Sequence, residues 1–234
     1  MHSAAFRTGM TEALGAQAAV LGASYVGFGA LANTGGVSIW IVIASTLTVW
    51  ALPGQLVMLD MWQFGAPMIA VVLAVMLTNA RFLPMTLTLL PLLRERYRPQ
   101  WNYYLAAQCI AMSSWVLSMR RCPEMPADER LSYFAGLSCA IMIVSIGGGV
   151  VGFLVAGSIP AIMQIGLVFL APVYFFVFLI VEVRSRLAAI ALVCGGIAGP
   201  AFYLLTPQWS LLLAGFVGGT AAYAIHRFAG RVRG

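Results

Sequence analysis

The sequence predicts an all-α fold: a polytopic transmembrane helical bundle of seven or eight segments with at least one broken helix. Three observations lead there. The 234 residues are 62% hydrophobic and 9% charged, with a mean hydropathy of +0.94, whereas a soluble domain carries about 25% charged residues. Residues 13–59, 131–181 and 187–226 contain no Asp, Glu, Lys or Arg, and each run has room for about two crossings at roughly 20 residues apiece. Stretches such as 39–47 and 161–180 are apolar on every face. A membrane β-barrel would instead alternate apolar and polar over segments of about ten residues.

The segments follow from apolar runs and their punctuation. Segment one covers residues 14–32 and ends at Asn33-Thr34-Gly35-Gly36. Arg7, the apolar stretch and Ala30-Leu31-Ala32 imitate a cleavable leader, but the stretch is long and glycine-rich for one, so it reads as the first membrane helix. Segment two, 38–59, is interrupted by Pro53-Gly54. Segment three, 67–93, is followed by the cluster from Arg94 to Arg98, and segment four spans 101–119. The mixed-charge loop 120–130 is the most hydrophilic piece of the chain. Segment five, 131–155, turns at Gly157-Ser158-Ile159-Pro160; segments six, seven and eight cover 161–181, 187–205 and 210–228. The whole chain, 1–234, reads as one membrane domain.

The net charge of +6 comes from thirteen arginines and no lysine, clustered at segment ends. That pattern suits cytoplasmic loops and lipid headgroups rather than nucleic acid. With eight crossings and cytoplasmic termini the rule of positive loops inside is broken by Arg94, Arg96 and Arg98. A re-entrant second segment moves the conflict to later loops, so seven and eight crossings both stand. The four cysteines form no C-x-x-C or Cys/His spacing, which predicts no metal, no cofactor and no disulfide.

Arg81 is the only charge between Asp60 and Arg94 and lies in the middle of segment three. A charge at that depth costs roughly 2.5–3.5 kcal/mol on insertion scales and persists where it meets a cavity, a partner or a substrate. Its planar fork matches a carboxylate and never deprotonates. Asn79, two residues earlier, points to another side of a regular helix. The Pro53-Gly54 interruption frees backbone groups at membrane depth, a device with which carriers aim half-helix N-termini at anions. Gly54 and Gln55 then stand at the break, Gln55 adding a neutral donor and acceptor. Gln108, Ser113 and Ser114 form a polar patch on segment four, although serines in membrane helices commonly bond back to the preceding turn. Gly148/Gly152, Gly195/Gly199 and Gly215/Gly219 are small pairs that let helices approach closely. No Asp or Glu lies mid-span, which leaves hydrolytic or redox chemistry little to work with. The chain reads as a carrier rather than an enzyme.

Phe28-Gly29, Leu52-Pro53-Gly54-Gln55, Thr78-Asn79-Ala80-Arg81-Phe82 and Phe169-Leu170-Ala171-Pro172, in this order over roughly residues 9–225, resemble the AzlC-type permeases, the large subunits of bacterial branched-chain amino acid exporters. The resemblance implies export of valine-like amino acids across the inner membrane and a separate small AzlD-type membrane subunit of roughly four helices. It places Gly54-Gln55 on the family's small-residue run ending in Gln, and Asn79 and Arg81 on its Asp/Asn-spacer-Arg. Phe82 stands where the family usually has His, Ser113-Ser114 where it has an acidic pair, and a residue near Tyr25 where it has a proline. The expected site is therefore Arg81 on the substrate carboxylate, Gln55 and the amides after Gly54 assisting, Asn79 orienting them, and Ser113 and Ser114 beside an ammonium group. Two alternatives stay open: a carrier of a small organic anion without an amino group, and a non-transporting membrane scaffold.

Overall fold

The structure, a computed structural model, describes residues 3–94, 99–182, 186–205 and 210–231. The expected basic cluster at Arg96 and Arg98, together with Arg184 and Arg233, lies outside the described residues. Twelve α-helices and two short 3-10 turns account for the described elements, with no strand among them. The chain forms two compact units, residues 1–172 and 173–234.

In the first unit, α1 (Ser3–Ala13) and α2 (Ala16–Thr34) meet at a 63° bend. The sequence reading began the first segment after α1. Next come α3 (Ile39–Thr48), α4 (Leu52–Gln63), α5 (Met68–Asn79), α6 (Phe82–Leu93), α7 (Trp101–Gln108) and α8 (Met112–Arg121). Helix α9 (Ala127–Val155) is long and apolar enough to cross a membrane on its own, and the bent pairs α1/α2 and α5/α6 pass the same test when each is taken as one span. Helix α10 (Ala161–Glu182) starts after the turn expected at residues 157–160 and carries Pro172 within it, the residue at which the first unit ends. The chain reverses between α2 and α3 at Gly36 (φ +73°) and between α4 and α5 at Gly65 (φ +65°), where a side chain would strain the backbone.

Helix α9 is the core of this unit. Its Tyr133, Phe134, Leu137 and Ile141 are fully buried, and α1 and α2 both lie along it. The approach is backbone to backbone: a methyl group added at Gly152 would collide with the Val26 carbonyl, and one at Gly29 with the Gly149 carbonyl. Gly148 faces the Gly22 carbonyl in the same seam, so the Gly148/Gly152 pair serves packing inside this chain. Tyr25 and Phe28 of α2 stack edge to face at 6.2 Å, the favoured arrangement of two rings. Polar bonds fix the corners. Arg121 Nη2 donates to Glu12 Oε1 at 2.6 Å, Tyr133 Oη donates to Glu12 Oε2 at 2.7 Å, and Asn33 Nδ2 donates to the Phe153 carbonyl at 2.9 Å.

In the second unit, α11 (Arg186–Leu205) and α12 (Ser210–Arg231) pack against each other, with Gly218 set on the Gly195 backbone.

Cysteine environments differ sharply. Cys122, in the 3-10 turn after α8, is buried, and burial pushes its thiol up to about 11; Cys139 is exposed. The thiolate is the nucleophile. A maleimide applied to the detergent-solubilised protein near neutral pH is therefore expected to spare Cys122 until the protein is denatured, as read by peptide mass spectrometry.

Candidate functional site

Three consecutive segments are broken near their middles, and the breaks share one cavity. Helices α3 and α4 separate at residues 49–51, α5 and α6 at Ala80 and Arg81 with a 54° bend, and α7 and α8 at residues 109–111. The sequence reading placed a break at Pro53-Gly54 in segment two. The structure moves it upstream, because Pro53 sits in the first turn of α4, where its missing N–H has no intrahelical partner to lose. The turn itself falls on Trp50, buried, with φ 39°. A left-handed backbone at a non-glycine residue costs about 1–3 kcal/mol and is held by its surroundings. Pro84, three residues into α6, plays the same first-turn part after the second break. At the third break the Ala111 N–H donates to Ser114 Oγ at 2.9 Å, and Ser138 Oγ of α9 donates to the Cys109 carbonyl at 3.2 Å.

The cavity measures about 420 Å3. Its polar wall is Thr48, Asn79 and Gln108, which are the last residues of α3, α5 and α7. Its apolar wall is Val49, Val75, Met76, Phe82 and Ile110. Gln108 Nε2 donates to the Thr48 carbonyl, tying the end of α7 to the end of α3.

The expected site residues fall in three places. Asn79 lines the cavity, and its side-chain amide lies against Gly54, where an added side chain would have to displace it. Gln55 is fully buried; its Nε2 donates to Ser45 Oγ at 3.1 Å and Thr46 Oγ1 at 2.9 Å, and both hydroxyls donate onward to the Val42 carbonyl. Gln55 Oε1 and Asn79 Oδ1 are buried without a donor. A buried polar atom left unpaired costs about 1–3 kcal/mol, so these two oxygens call for an explanation. Ser113 and Ser114 are buried in the first turn of α8, and the Ser114 hydroxyl is used by the backbone of that turn. Neither serine is among the residues lining the cavity.

Arg81 stands apart from the others. It is the N-cap residue of α6, its side chain is exposed, and its guanidinium carbon lies 5.4 Å from the centre of the Phe82 ring. Residues on either side of it line the cavity, yet its own side chain does not. Thr48, Gln108 and Phe82 joined the site without being expected there. Gln108 carried a signal, as a lone amide in an apolar span; Thr48 carried none, because threonine is common in such helices.

Fold and site together define a helical membrane protein whose interior space is built at helix breaks. The profile of the AzlC family, described as AzlC protein, matches residues 17–159. The chain belongs to the AzlC family, which associates it with branched-chain amino acid transport. Comparison with curated proteins finds no match, and comparison with solved structures finds none.

Proposed function

We propose that this protein is the membrane-embedded subunit of a secondary exporter for branched-chain or similar small amino acids, multi-pass in a bacterial inner membrane. The observation that carries the reading is the cavity at the three breaks. It offers a zwitterion what it needs: Thr48, Asn79 and Gln108 on one wall, and on the other an apolar surface of Val75, Met76, Phe82 and Ile110 for a branched side chain. Discontinuous helices meeting at mid-depth are a recurring construction for carriers, because half-helix ends supply partial charge without ionisable groups. Counting each broken pair as one crossing, the chain makes eight: α2, α3/α4, α5/α6, α7/α8, α9, α10, α11 and α12. It works without chemical transformation of its cargo and in company with a small AzlD-type membrane subunit.

In this reading the carboxylate lies toward the N-terminal ends of α4 and α6. Arg81 caps α6, so its charge adds to the positive end of that half-helix. The test is counterflow of labelled valine in vesicles holding the protein with its small subunit. Arg81→Lys keeps the charge and is expected to leave the half-saturating concentration within about threefold. Arg81→Met removes it and is expected to raise that concentration about fivefold, the upper end of the effect of an exposed charge at a helix terminus. Equal saturation curves for wild type and Arg81→Met remove Arg81 from the mechanism. Transport of the 2-keto acid in preference to valine would favour the organic-anion alternative.

A further inference from the structure

The wall of the cavity formed by α3, α5 and α7 gathers partial negative charge from three helix ends, part of which the Gln108 amide meets by donating to the Thr48 carbonyl. Thr48, Asn79 and Gln108 end their helices there, and a helix C-terminus carries about half a negative charge in its unsatisfied carbonyls. Two side-chain oxygens add to this. Asn79 Oδ1 and Gln55 Oε1 are buried and accept from no donor. Gln55 has no exposed surface, and its Nε2 is already committed to Ser45 and Thr46. Asn79 lies against Gly54, the residue next to Gln55 in α4, while the Gln55 amide reaches the last turn of α3 at Thr46, so the two side chains join the start of α4 to the ends of α5 and α3. Arg81 satisfies neither of them, although it lies two residues from Asn79.

From this arrangement we infer a cation-accepting subsite at the ends of α3 and α5, built on the carbonyl oxygens of Gln55 and Asn79, for a group of single positive charge. Amide oxygens and helix-end carbonyls replace the water around an ammonium or a sodium-sized ion. A divalent ion would call for carboxylates, and no carboxylate lines this cavity. An ammonium has three donors and no acceptor, which is what two unanswered acceptors need. The same chemistry has two sources: the α-ammonium of an amino-acid cargo, or a monovalent ion that travels with it. The first source rests on the carrier reading above. The second stands without it. The subsite also changes the role given to Gln55, from assisting a carboxylate to receiving a cation.

The experiment is thermal unfolding of the purified full-length protein in detergent, followed by tryptophan fluorescence. The probes are sodium chloride exchanged against N-methylglucamine chloride at constant ionic strength, and separately isobutylamine, valine and 3-methyl-2-oxobutanoate. The expected result is a rise in midpoint with sodium, with the amine and valine, or with both. In Gln55→Leu and Asn79→Ala the apparent affinity for the effective probe falls at least about tenfold. Asn79→Asp keeps the acceptor on the cavity wall and adds negative charge, so it tightens binding, which a merely structural asparagine would not do. A shift with sodium alone assigns the subsite to an ion, and a shift with the amine and valine alone assigns it to the cargo. No shift with any cation, a shift with the keto acid alone, or equal shifts in wild type and all three variants overturns the inference. Failure of the carrier reading looks different: the cations bind and the variants weaken them, yet vesicles move no solute.

Discussion

Ala107→Trp is expected to reduce valine counterflow to the level of empty vesicles while the protein still purifies as a single folded species. Ala107 lines the cavity near the end of α7, between the polar wall at Thr48, Asn79 and Gln108 and the apolar wall at Ile110. An indole placed there takes up part of the cavity of about 420 Å3 and lies across the apolar wall against which a branched side chain would rest. Because the added volume enters a void and not packed core, the overpacking cost of about 1–3 kcal/mol seen in filled interiors is largely avoided. Ala107→Ser, small and polar, is expected to retain flux within about threefold of wild type, since a change of one small group in a pocket alters discrimination by about 1–3 kcal/mol at most. The checks are counterflow, elution as one species and an unchanged unfolding midpoint. Wild-type flux through Ala107→Trp would place the route elsewhere.

Gly152→Ala is expected to be the most damaging addition of a single methyl group in the chain. The new carbon would meet the Val26 carbonyl oxygen, its carbon and its Cα, all backbone atoms of α2. No side-chain rotation relieves that collision, so α2 must move away from α9. We expect a loss of about 3 kcal/mol or more, the upper end of overpacking costs, seen as a large fall in unfolding midpoint and in recovery of monodisperse protein. Gly147→Ala is the matched control, because a methyl group there meets nothing within 4 Å. It is expected to be neutral or slightly stabilising, since alanine exceeds glycine in helix propensity by about 1 kcal/mol. Equal behaviour of the two variants would show that the α2–α9 seam does not hold the fold.

The outer limits of the elements were legible in the sequence, and the breaks inside them were not. Helices α9, α10, α11 and α12 begin and end within a few residues of their apolar runs, because the bilayer imposes length and hydropathy together. The runs 67–93 and 101–119 read as continuous because each is apolar enough over its whole length to cross a bilayer, even with Asn79 and Arg81 in the one and Gln108, Ser113 and Ser114 in the other. Their breaks come from first-turn devices that composition hides: Pro84 after Arg81, and Ser114 closing on Ala111. Proline at residue 53 did signal a broken helix, but it marks the start of the new helix, four residues or fewer past the turn at Trp50. Of the expected site, Asn79 lines the cavity and Gln55 lies buried nearby. The position of the Arg81 side chain depended on the bend at Ala80, which no periodicity announces.

The glycine seam between α2 and α9 has a mechanical consequence. Two backbones in direct contact cannot slide or separate by a small step, so this pair behaves as a fixed post. The short rods α6, α7 and α8 are tied to their surroundings by separate polar bonds, among them Trp115 to Thr88, Ser138 to the Cys109 carbonyl, Arg130 to the Leu92 carbonyl and Arg121 to Glu12. Each such bond is worth about 1 kcal/mol, within reach of a solute's binding energy. In the carrier reading proposed above, a gate would swing on those rods while the post stays still.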